Sequence, residues 1–151
     1  MSMKIFDHIG YYGPVIHFFM NIYMLQNRFV YMISYLFFFI VNTGLNKLLK
    51  VSFREPRPEN PVHYADFEKL TKEEYYGMPS GHAQSIFYSI SFLYFINRQL
   101  DVLLVSFFLG TLTIYQRWKY RKHTFAQLMM GVIVGATFGG SIYYMTNRYL
   151  Q

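Results

Sequence analysis

Residues 29–41 read Phe-Val-Tyr-Met-Ile-Ser-Tyr-Leu-Phe-Phe-Phe-Ile-Val, a stretch without a single charged side chain. Folded as an α-helix, this stretch has no polar face for water, because apolar and aromatic side chains lie on every side. We therefore interpret it as part of a helix that lies in a lipid bilayer. The alternative is a soluble helical bundle with unusually apolar helices.

Four more uncharged runs accompany this one. The runs are Gly10–Asn27, Phe29–Asn46, Ala83–Asn97, Val102–Gln116 and Thr124–Asn147. A bilayer core takes about 20 residues of helix, and the first, second and fifth runs meet that length. The third meets it only if it starts near Ser80, and the fourth is short. We predict an all-α, polytopic membrane helix bundle with about five transmembrane helices, forming a single domain over residues 1–151.

Composition narrows the classes of partner. The absence of cysteine excludes disulfides and thiolate metal sites. A net charge of +6 fits a membrane surface, a phosphorylated ligand or a nucleic acid. Because the cations lie at predicted membrane helix ends beside acids, we expect no nucleic-acid partner. The sequence does not indicate an oligomeric state.

The polar segment over residues 50–79 carries six of the eight acidic residues. Within it, Phe67, Leu70 and Tyr75 predict a short interfacial helix, with Thr71 and Glu74 spaced as a capping box. If all five runs cross the bilayer, the ends of helices two and four and the starts of helices three and five share one face. The polar chemistry of the chain is then expected on that face.

Three clusters meet there: Lys50 to Pro58, Pro79 to His82, and Arg117 to His123 followed by Gln127. Lysine and arginine bind phosphate oxygens, and a helix N-terminus at residues 80–82 offers free N–H groups to an anion. Of two imidazoles, one can attack phosphorus and the other can protonate the leaving oxygen. No carboxylate cluster suggests a metal, so we predict phosphoryl transfer without metal or cofactor.

These clusters resemble the type 2 phosphatidic acid phosphatase superfamily. Lys50 with Arg57 and Pro58 matches its K-x6-R-P motif, residues 79–82 match P-S-G-H, and Arg117 with His123 matches R-x5-H. The segments Glu-Pro-Arg-Pro (55–58), Tyr-Gly-Met-Pro-Ser-Gly-His (76–82) with Gln84, and His-Thr (123–124) with Gln127 resemble the dolichyl-diphosphatase branch more narrowly. That branch removes a phosphate from a polyprenyl diphosphate at the endoplasmic reticulum membrane.

The resemblance implies a role for each residue. His123 is expected to be the nucleophile that forms a phosphohistidine, and His82 the general acid on the leaving lipid phosphate. The transferring phosphoryl group would be bound by Lys50, Arg57, Arg117, the Ser80 hydroxyl and the Gly81 amide. The implied substrate is a lipid phosphate or diphosphate in a membrane. A phosphatidate phosphatase and a non-catalytic lipid-phosphate-binding membrane protein are the alternatives.

Two positions depart from the superfamily pattern. Gln116 stands where Ser usually precedes the Arg, and we expect its amide to replace the hydroxyl. Gln127 stands where Asp usually follows the nucleophile, one helical turn after His123. We predict that the Gln127 carbonyl accepts a hydrogen bond from Nδ1 of His123, making Gln127 the third catalytic residue. A capping box with Thr124 is the competing interpretation.

The remaining polar residues are interpreted structurally. His17 and Asn21 are expected to form a buried packing pair. Cations outside the motifs are expected at the surface or among lipid headgroups: Lys47, Arg54, Lys119, Arg121 and Lys122. The usual family core has six helices; we expect the first to be missing here and the N-terminus to lie on the catalytic face. The resemblance implies a luminal or extracellular site, whereas the positive-inside rule favours the cytosol.

Overall fold

The structure of the chain, a computed structural model, describes residues 5–64 and 75–150. Five helices follow one another: α1 (Ile5–Leu25), α2 (Phe29–Phe53), α3 (Gly81–Asn97), α4 (Leu100–Lys119) and α5 (Phe125–Tyr149). Within the described ranges the only β-type pairing is one isolated antiparallel bridge between Pro56 and Tyr76. The predicted all-α bundle of five helices is confirmed. The predicted interfacial helix and its capping box fall mainly in residues 65–74, outside the described residues.

The outer surface of the bundle is apolar. Large side chains such as Phe19 and Ile40 are 62% and 73% exposed, as a lipid-facing surface requires. Among the described helices, α2, α4 and α5 are long and apolar enough to cross a membrane. Helix α3 has 17 residues and lies largely inside the bundle, where Ile86, Tyr88 and Phe92 are fully buried. The chain is a multi-pass integral membrane protein.

Helices α3 and α5 pack with their backbones in contact. Glycines recur at every fourth position of α5, and a Cβ atom on any of them would overlap a carbonyl oxygen of α3 or of its cap. The pairs are Gly131 with Ser80, Gly135 with Gln84, and Gly139 with Tyr88. Such close approach is possible only where no side chain stands between two helices. This packing holds the N-terminal ends of α3 and α5 side by side.

Helix α1 is attached to α3 by the polar pair that the sequence predicted. His17 and Asn21 are both fully buried, and Asn21 Nδ2 lies 3.4 Å from His17 Nδ1. Asn21 Nδ2 also donates to the Ser89 carbonyl at 3.1 Å. The predicted buried packing pair is confirmed.

Helix α2 runs further than its apolar run suggested. It continues to Phe53 and ends where Arg54 takes a left-handed conformation with φ 52°, its N–H donating to the Lys50 carbonyl at 3.0 Å. Lys50 therefore lies in the last turn of a helix, and the expectation that the polar loop begins at residue 50 is corrected. The side chain is consequently aimed by a rigid element.

Candidate active site

A cavity of about 250 Å³ opens where the ends of α2 and α4 meet the starts of α3 and α5. It is lined by Thr43, Asn46, Lys47, Lys50, Arg57, Gly81, His82, Arg117 and His123. We call this cavity the cationic pocket. Most of the predicted site residues line it, and the exceptions are Ser80 and Gln127. The helix parity deduced from the sequence is therefore the one the structure has.

The three predicted phosphate-binding cations reach the pocket from different elements. Lys50 lies in the last turn of α2 and Arg117 in the last turn of α4, and both are buried, at 6% and 5% exposure. Arg57 lies in the segment after α2, where its Nη1 is 3.5 Å from the Lys122 carbonyl. Positive charge in a poorly hydrated site attracts an anion more strongly than the same charge in water. The pocket is thus suited to an oxyanion such as phosphate.

His123 is held in one tautomer at the edge of the pocket. It is 3% exposed, and its Nδ1 lies 3.0 Å from the carbonyl oxygen of Gly77. A carbonyl oxygen can only accept, so Nδ1 carries the hydrogen in this bond. In the neutral ring, Nε2 is then left with a free lone pair.

The surroundings of His123 keep its ring neutral. Burial is the largest cause and lowers the pKa of His123 well below the ordinary 6.5, and the positive charges of Arg57, Arg117 and Lys50 lower this pKa further, with a smaller effect from His82. At neutral pH the imidazole is therefore unprotonated, which is the form that can act as a nucleophile.

Gln127 does not contact His123 in the way the sequence suggested. Its Nε2 donates instead to Glu55 Oε1 at 2.9 Å and to the Pro56 carbonyl at 2.8 Å. Its Oε1 accepts from the Thr124 N–H at 3.2 Å and completes the capping box of α5. The expected hydrogen bond to His123 is therefore wrong as a contact, and the competing capping-box interpretation is confirmed.

Ser80 caps α3 rather than lining the pocket. It is fully buried, and its hydroxyl accepts from the Ala83 N–H at 3.5 Å. Its own N–H donates to the Gln127 carbonyl at 3.0 Å, so this amide is not available to a phosphate oxygen. The first turn of α3 instead presents Gly81 and His82 to the pocket.

Two buried amides that precede Lys50 on α2 were missed by the sequence analysis. Asn42 and Asn46 stand eight and four residues before Lys50, so the three side chains form a buried polar stripe on a largely apolar helix. Asn46 Nδ2 donates to the Pro79 carbonyl at 3.2 Å and to Gln84 Oε1 at 2.8 Å. Buried polar side chains at this spacing in a membrane helix are the signal that could have identified the stripe. Asn46 fixes the start of α3 against α2.

A cluster of aromatic side chains from α1, the segment after α2 and the end of α4 packs beside the pocket. The rings of Tyr11 and Tyr64 stack at 4.5 Å, and Tyr64 also packs edge-on against Tyr120. Tyr11 lies 5.6 Å from the Arg117 guanidinium carbon and 5.7 Å from the His82 ring. The first turns of α1 are therefore on the catalytic face, as expected.

Two predicted surface cations are placed differently by the structure. Lys119 forms an ion pair with buried Asp7 at 2.7 Å. Lys122 is 2% exposed, with its Nζ 3.3 Å from Nδ1 of His63, so the expectation of a lipid-facing Lys122 is wrong. The reason is that Arg121 adopts a left-handed turn after α4, which folds the chain back onto the bundle. Lys47 is exposed, as predicted, at the rim of the pocket.

Gln116 does not supply the hydroxyl equivalent that the sequence suggested. Its side chain is fully buried where α4 meets α1, and the pocket lining does not include it. A Cβ on Gly10 of α1 would lie 2.9 Å from the Gln116 Cβ, which shows how closely the two helices approach here. Gln116 is a packing residue in this structure.

An apolar cavity of about 570 Å³ adjoins the cationic pocket between α1, α2 and α3. Its lining is Pro14, Val15, Phe18, Phe19, Leu36, Phe39, Ile40, Thr43, Asn46, Gly81, His82 and Ser85. We call it the apolar groove. Four residues belong to both cavities: Thr43, Asn46, Gly81 and His82. The groove therefore leads from the lipid-facing side of the bundle to the charged site.

Fold and pocket together define an α-helical integral membrane protein with a histidine-containing cationic pocket at one end of its bundle. The family model described as the PAP2 superfamily matches residues 31–150, which include every residue of the cationic pocket. The chain belongs to the PAP2 superfamily.

Three relatives show which members of this family the chain is similar to in sequence. Dolichyldiphosphatase 1 of Mus musculus is 33% identical over 141 residues, covering 82% of this chain and 56% of that protein. Dolichyldiphosphatase 1 of Homo sapiens is 32% identical over 143 residues, with the same coverage. Lipid phosphate phosphatase gamma of Arabidopsis thaliana is 25% identical over 122 residues, covering 74% of this chain and 51% of that one. The chain spans about half the length of these relatives.

A solved structure has the same fold. The crystal structure of the first transmembrane PAP2 type phosphatidylglycerolphosphate phosphatase, from Bacillus subtilis, superposes with a TM-score of 0.65 at 18% sequence identity. The match covers 95% of this chain and 73% of that chain. At this level of identity the likeness concerns the fold alone.

Proposed function

We propose that this chain hydrolyses a polyprenyl, dolichyl-type diphosphate to the monophosphate, through a phosphohistidine on His123. The observation that carries the proposal is the cationic pocket, where Lys50, Arg57 and Arg117 surround His82 and His123. Cations of this kind stabilise the charge on a transferring phosphoryl group, which is the main catalytic task in phosphoryl transfer. The lysine and arginines supply that charge without a bound metal.

In the proposed first step the lone pair of His123 Nε2 attacks the terminal phosphorus. The bond from phosphorus to the bridging oxygen breaks, and the lipid monophosphate leaves with its electron pair. His82 takes up a proton together with the anionic substrate, whose charge offsets that of the neighbouring cations, and gives this proton to the leaving oxygen. The Gly77 carbonyl keeps Nε2 directed at the pocket through its bond to Nδ1 at 3.0 Å. Water then attacks the phosphohistidine, its proton passes to His82, and the phosphorus–nitrogen bond breaks to release inorganic phosphate.

The apolar groove supports a lipid as the substrate. Its lining is mostly aromatic and aliphatic, and it shares Gly81 and His82 with the cationic pocket. A substrate with a charged head and a hydrocarbon tail would place the head among the cations and the tail in the groove, where burial removes apolar surface from water. The dolichyldiphosphatase relatives favour a polyprenyl diphosphate and an endoplasmic reticulum location.

A phosphatidate or other lipid monophosphate phosphatase is the second candidate. The Arabidopsis relative, a lipid phosphate phosphatase, favours it. The chemistry at phosphorus is the same, but the leaving group is an alcohol rather than a phosphate. An alcohol leaves poorly without a proton, so this reaction would depend more on His82.

The test is phosphate release by purified protein in detergent from farnesyl diphosphate and, separately, from phosphatidate, with and without a chelator. We expect release from farnesyl diphosphate that the chelator leaves unchanged and that H123A abolishes. R148A, which removes an exposed arginine at the far end of the bundle, is the control. Greater release from phosphatidate would support the second candidate. Binding of either lipid without turnover would indicate a lipid-phosphate-binding protein, and a need for added metal would contradict the mechanism.

A further inference from the structure

The segments that carry the site motifs are tied together by one buried amide. Gln127 is fully buried, and each hydrogen of its Nε2 is used, one by Glu55 Oε1 and one by the Pro56 carbonyl. Its backbone carbonyl accepts the N–H of Ser80 at 3.0 Å. Gln127 therefore joins the segment after α2, the start of α3 and the start of α5.

The orientation of His123 depends on the same contacts. The Gly77 carbonyl that accepts from His123 Nδ1 belongs to a residue whose own N–H donates to the Glu55 carbonyl at 2.7 Å. The Gly77 backbone is also in close contact with the Gln127 side chain. A Cβ atom on Gly77 would be 2.7 Å from both Cδ and Nε2 of Gln127. A shift of the Gln127 amide or of Glu55 would therefore move the oxygen that holds the imidazole.

The chemistry around position 127 requires a donor. The two groups that Nε2 meets, the Glu55 carboxylate and the Pro56 carbonyl, are both acceptors. A carboxylate at position 127 would face Glu55 as a like charge and would leave the Pro56 carbonyl without its donor. An amide at position 127, as in the dolichyl-diphosphatase branch, therefore suits these partners better than the Asp of the superfamily pattern.

We propose that Glu55 and Gln127 form a positioning pair for His123. Gln127 holds the Glu55–Pro56 segment, this segment holds the Gly77 N–H, and the Gly77 carbonyl keeps Nδ1 protonated and Nε2 directed into the cationic pocket. The pair touches neither substrate nor the reacting atoms and acts only through Gly77. This inference rests on the proposed function insofar as His123 is the nucleophile.

The test replaces the Glu55 carboxylate by an amide and the Gln127 amide by a carboxylate, first singly and then together. E55Q keeps an acceptor for Gln127 but removes the negative charge, so we expect a smaller loss of kcat in E55Q than in Q127E. Q127E places a carboxylate against Glu55 and Pro56, and we expect kcat to fall about 10- to 100-fold, because small displacements of a reacting group have effects of this size. In E55Q/Q127E the new amide can donate to the new carboxylate, and we expect about a 10-fold recovery over Q127E, a coupling typical of contacting residues.

The matched control is E59Q, which removes an exposed carboxylate four residues along the same segment. Neither E59Q alone nor E59Q/Q127E is expected to change kcat relative to its parent. Thermal unfolding in detergent identifies any variant that fails to fold. If Q127E merely lowered stability, E55Q and E59Q would affect it alike. Recovery of kcat with E55Q but not with E59Q therefore indicates a specific contact between positions 55 and 127.

A second readout does not need turnover. In ¹⁵N-histidine NMR of the detergent-solubilised protein, with His123 assigned by its loss in H123A, we expect the Nδ1–H tautomer in the wild type and a mixture in Q127E. E55Q/Q127E should restore the wild-type tautomer. Wild-type kcat and tautomer in Q127E, or no recovery on adding E55Q, would overturn the positioning pair. An inactive wild type would contradict the proposed function but not the positioning pair, because the NMR tautomer of His123 tests the pair without turnover.

Discussion

At the residue scale, the proposed chemistry depends on the protonation of His123. Its pKa lies well below 6.5, first through burial and then through Arg57, Arg117 and Lys50. The neutral, nucleophilic form therefore persists as the pH falls through 6.5, and it is lost only below the lowered pKa.

This predicts the pH profile of the free enzyme. The acidic limb of kcat/KM assigned to His123 should lie below pH 6.5, the ordinary histidine pKa, and the ¹⁵N NMR titration of His123 should show the same midpoint. The free energy of unfolding should also fall in acid, because the unfolded chain binds a proton that the folded chain excludes. An NMR midpoint for His123 at or above 6.5 would contradict the description of this site.

Gln127 illustrates the limit of residue spacing as a guide. A side chain one helical turn after His123 can reach it in principle, yet the amide turns towards Glu55 and Pro56. Those partners lie about 70 positions earlier in the chain. Sequence spacing indicates which side chains can form a hydrogen bond. Which bond forms depends on all the donors and acceptors within reach in the folded chain.

At the element scale, the site depends on the contact between α3 and α5. Gly135 of α5 faces the Gln84 carbonyl of α3 so closely that a Cβ would overlap the oxygen, whereas a Cβ on Gly44 of α2 would meet nothing within 4 Å. These two helical glycines therefore form a matched pair for the same substitution.

We predict opposite effects of alanine at the two positions. G135A should lower the free energy of unfolding by about 1–3 kcal/mol, because it forces two packed backbones apart. G44A should leave stability unchanged or raise it by up to about 1 kcal/mol, because alanine has the higher helix propensity. Thermal unfolding in one detergent measures both. Equal effects of the two substitutions would show that the α3–α5 contact is looser than described.

At the scale of the whole molecule, the apolar groove connects the lipid-facing surface of the bundle with the cationic pocket. Val15 lines the apolar groove on α1, and Val105 lies on α4 outside it. The two side chains are 51% and 53% exposed, so a larger residue should be accommodated at either position without unfolding the bundle.

V15W is predicted to raise KM for farnesyl diphosphate several-fold, with little effect on release from p-nitrophenyl phosphate, which has no hydrocarbon tail. The indole would occupy volume that the tail needs, and the phosphate site would be untouched. V105W should change neither KM. If V15W altered both substrates equally, the groove would not be the tail site.

The helix bundle, and the face on which its polar residues collect, can be predicted from the amino-acid sequence. Uncharged runs of membrane length leave few alternatives for an apolar chain. Among the described residues, no helix lies between the first and second motifs and two lie between the second and third, and an even number of crossings returns the chain to the same face. Six of the residues that line the pocket, three of its cations and both histidines among them, followed from that count, whereas Asn46 did not. His17 and Asn21 followed from helical spacing in the same way.

The hydrogen-bond partners of the buried polar groups could be identified only from the folded chain. Gln127 bonds to Glu55, Ser80 gives its N–H to Gln127, Lys122 turns inward beside His63, and Gly77 holds the imidazole of His123. Each of these contacts joins segments far apart in the chain or depends on a turn between helices. The physical reason is that a buried donor or acceptor must find a partner, and the choice depends on all the groups that the fold brings within reach.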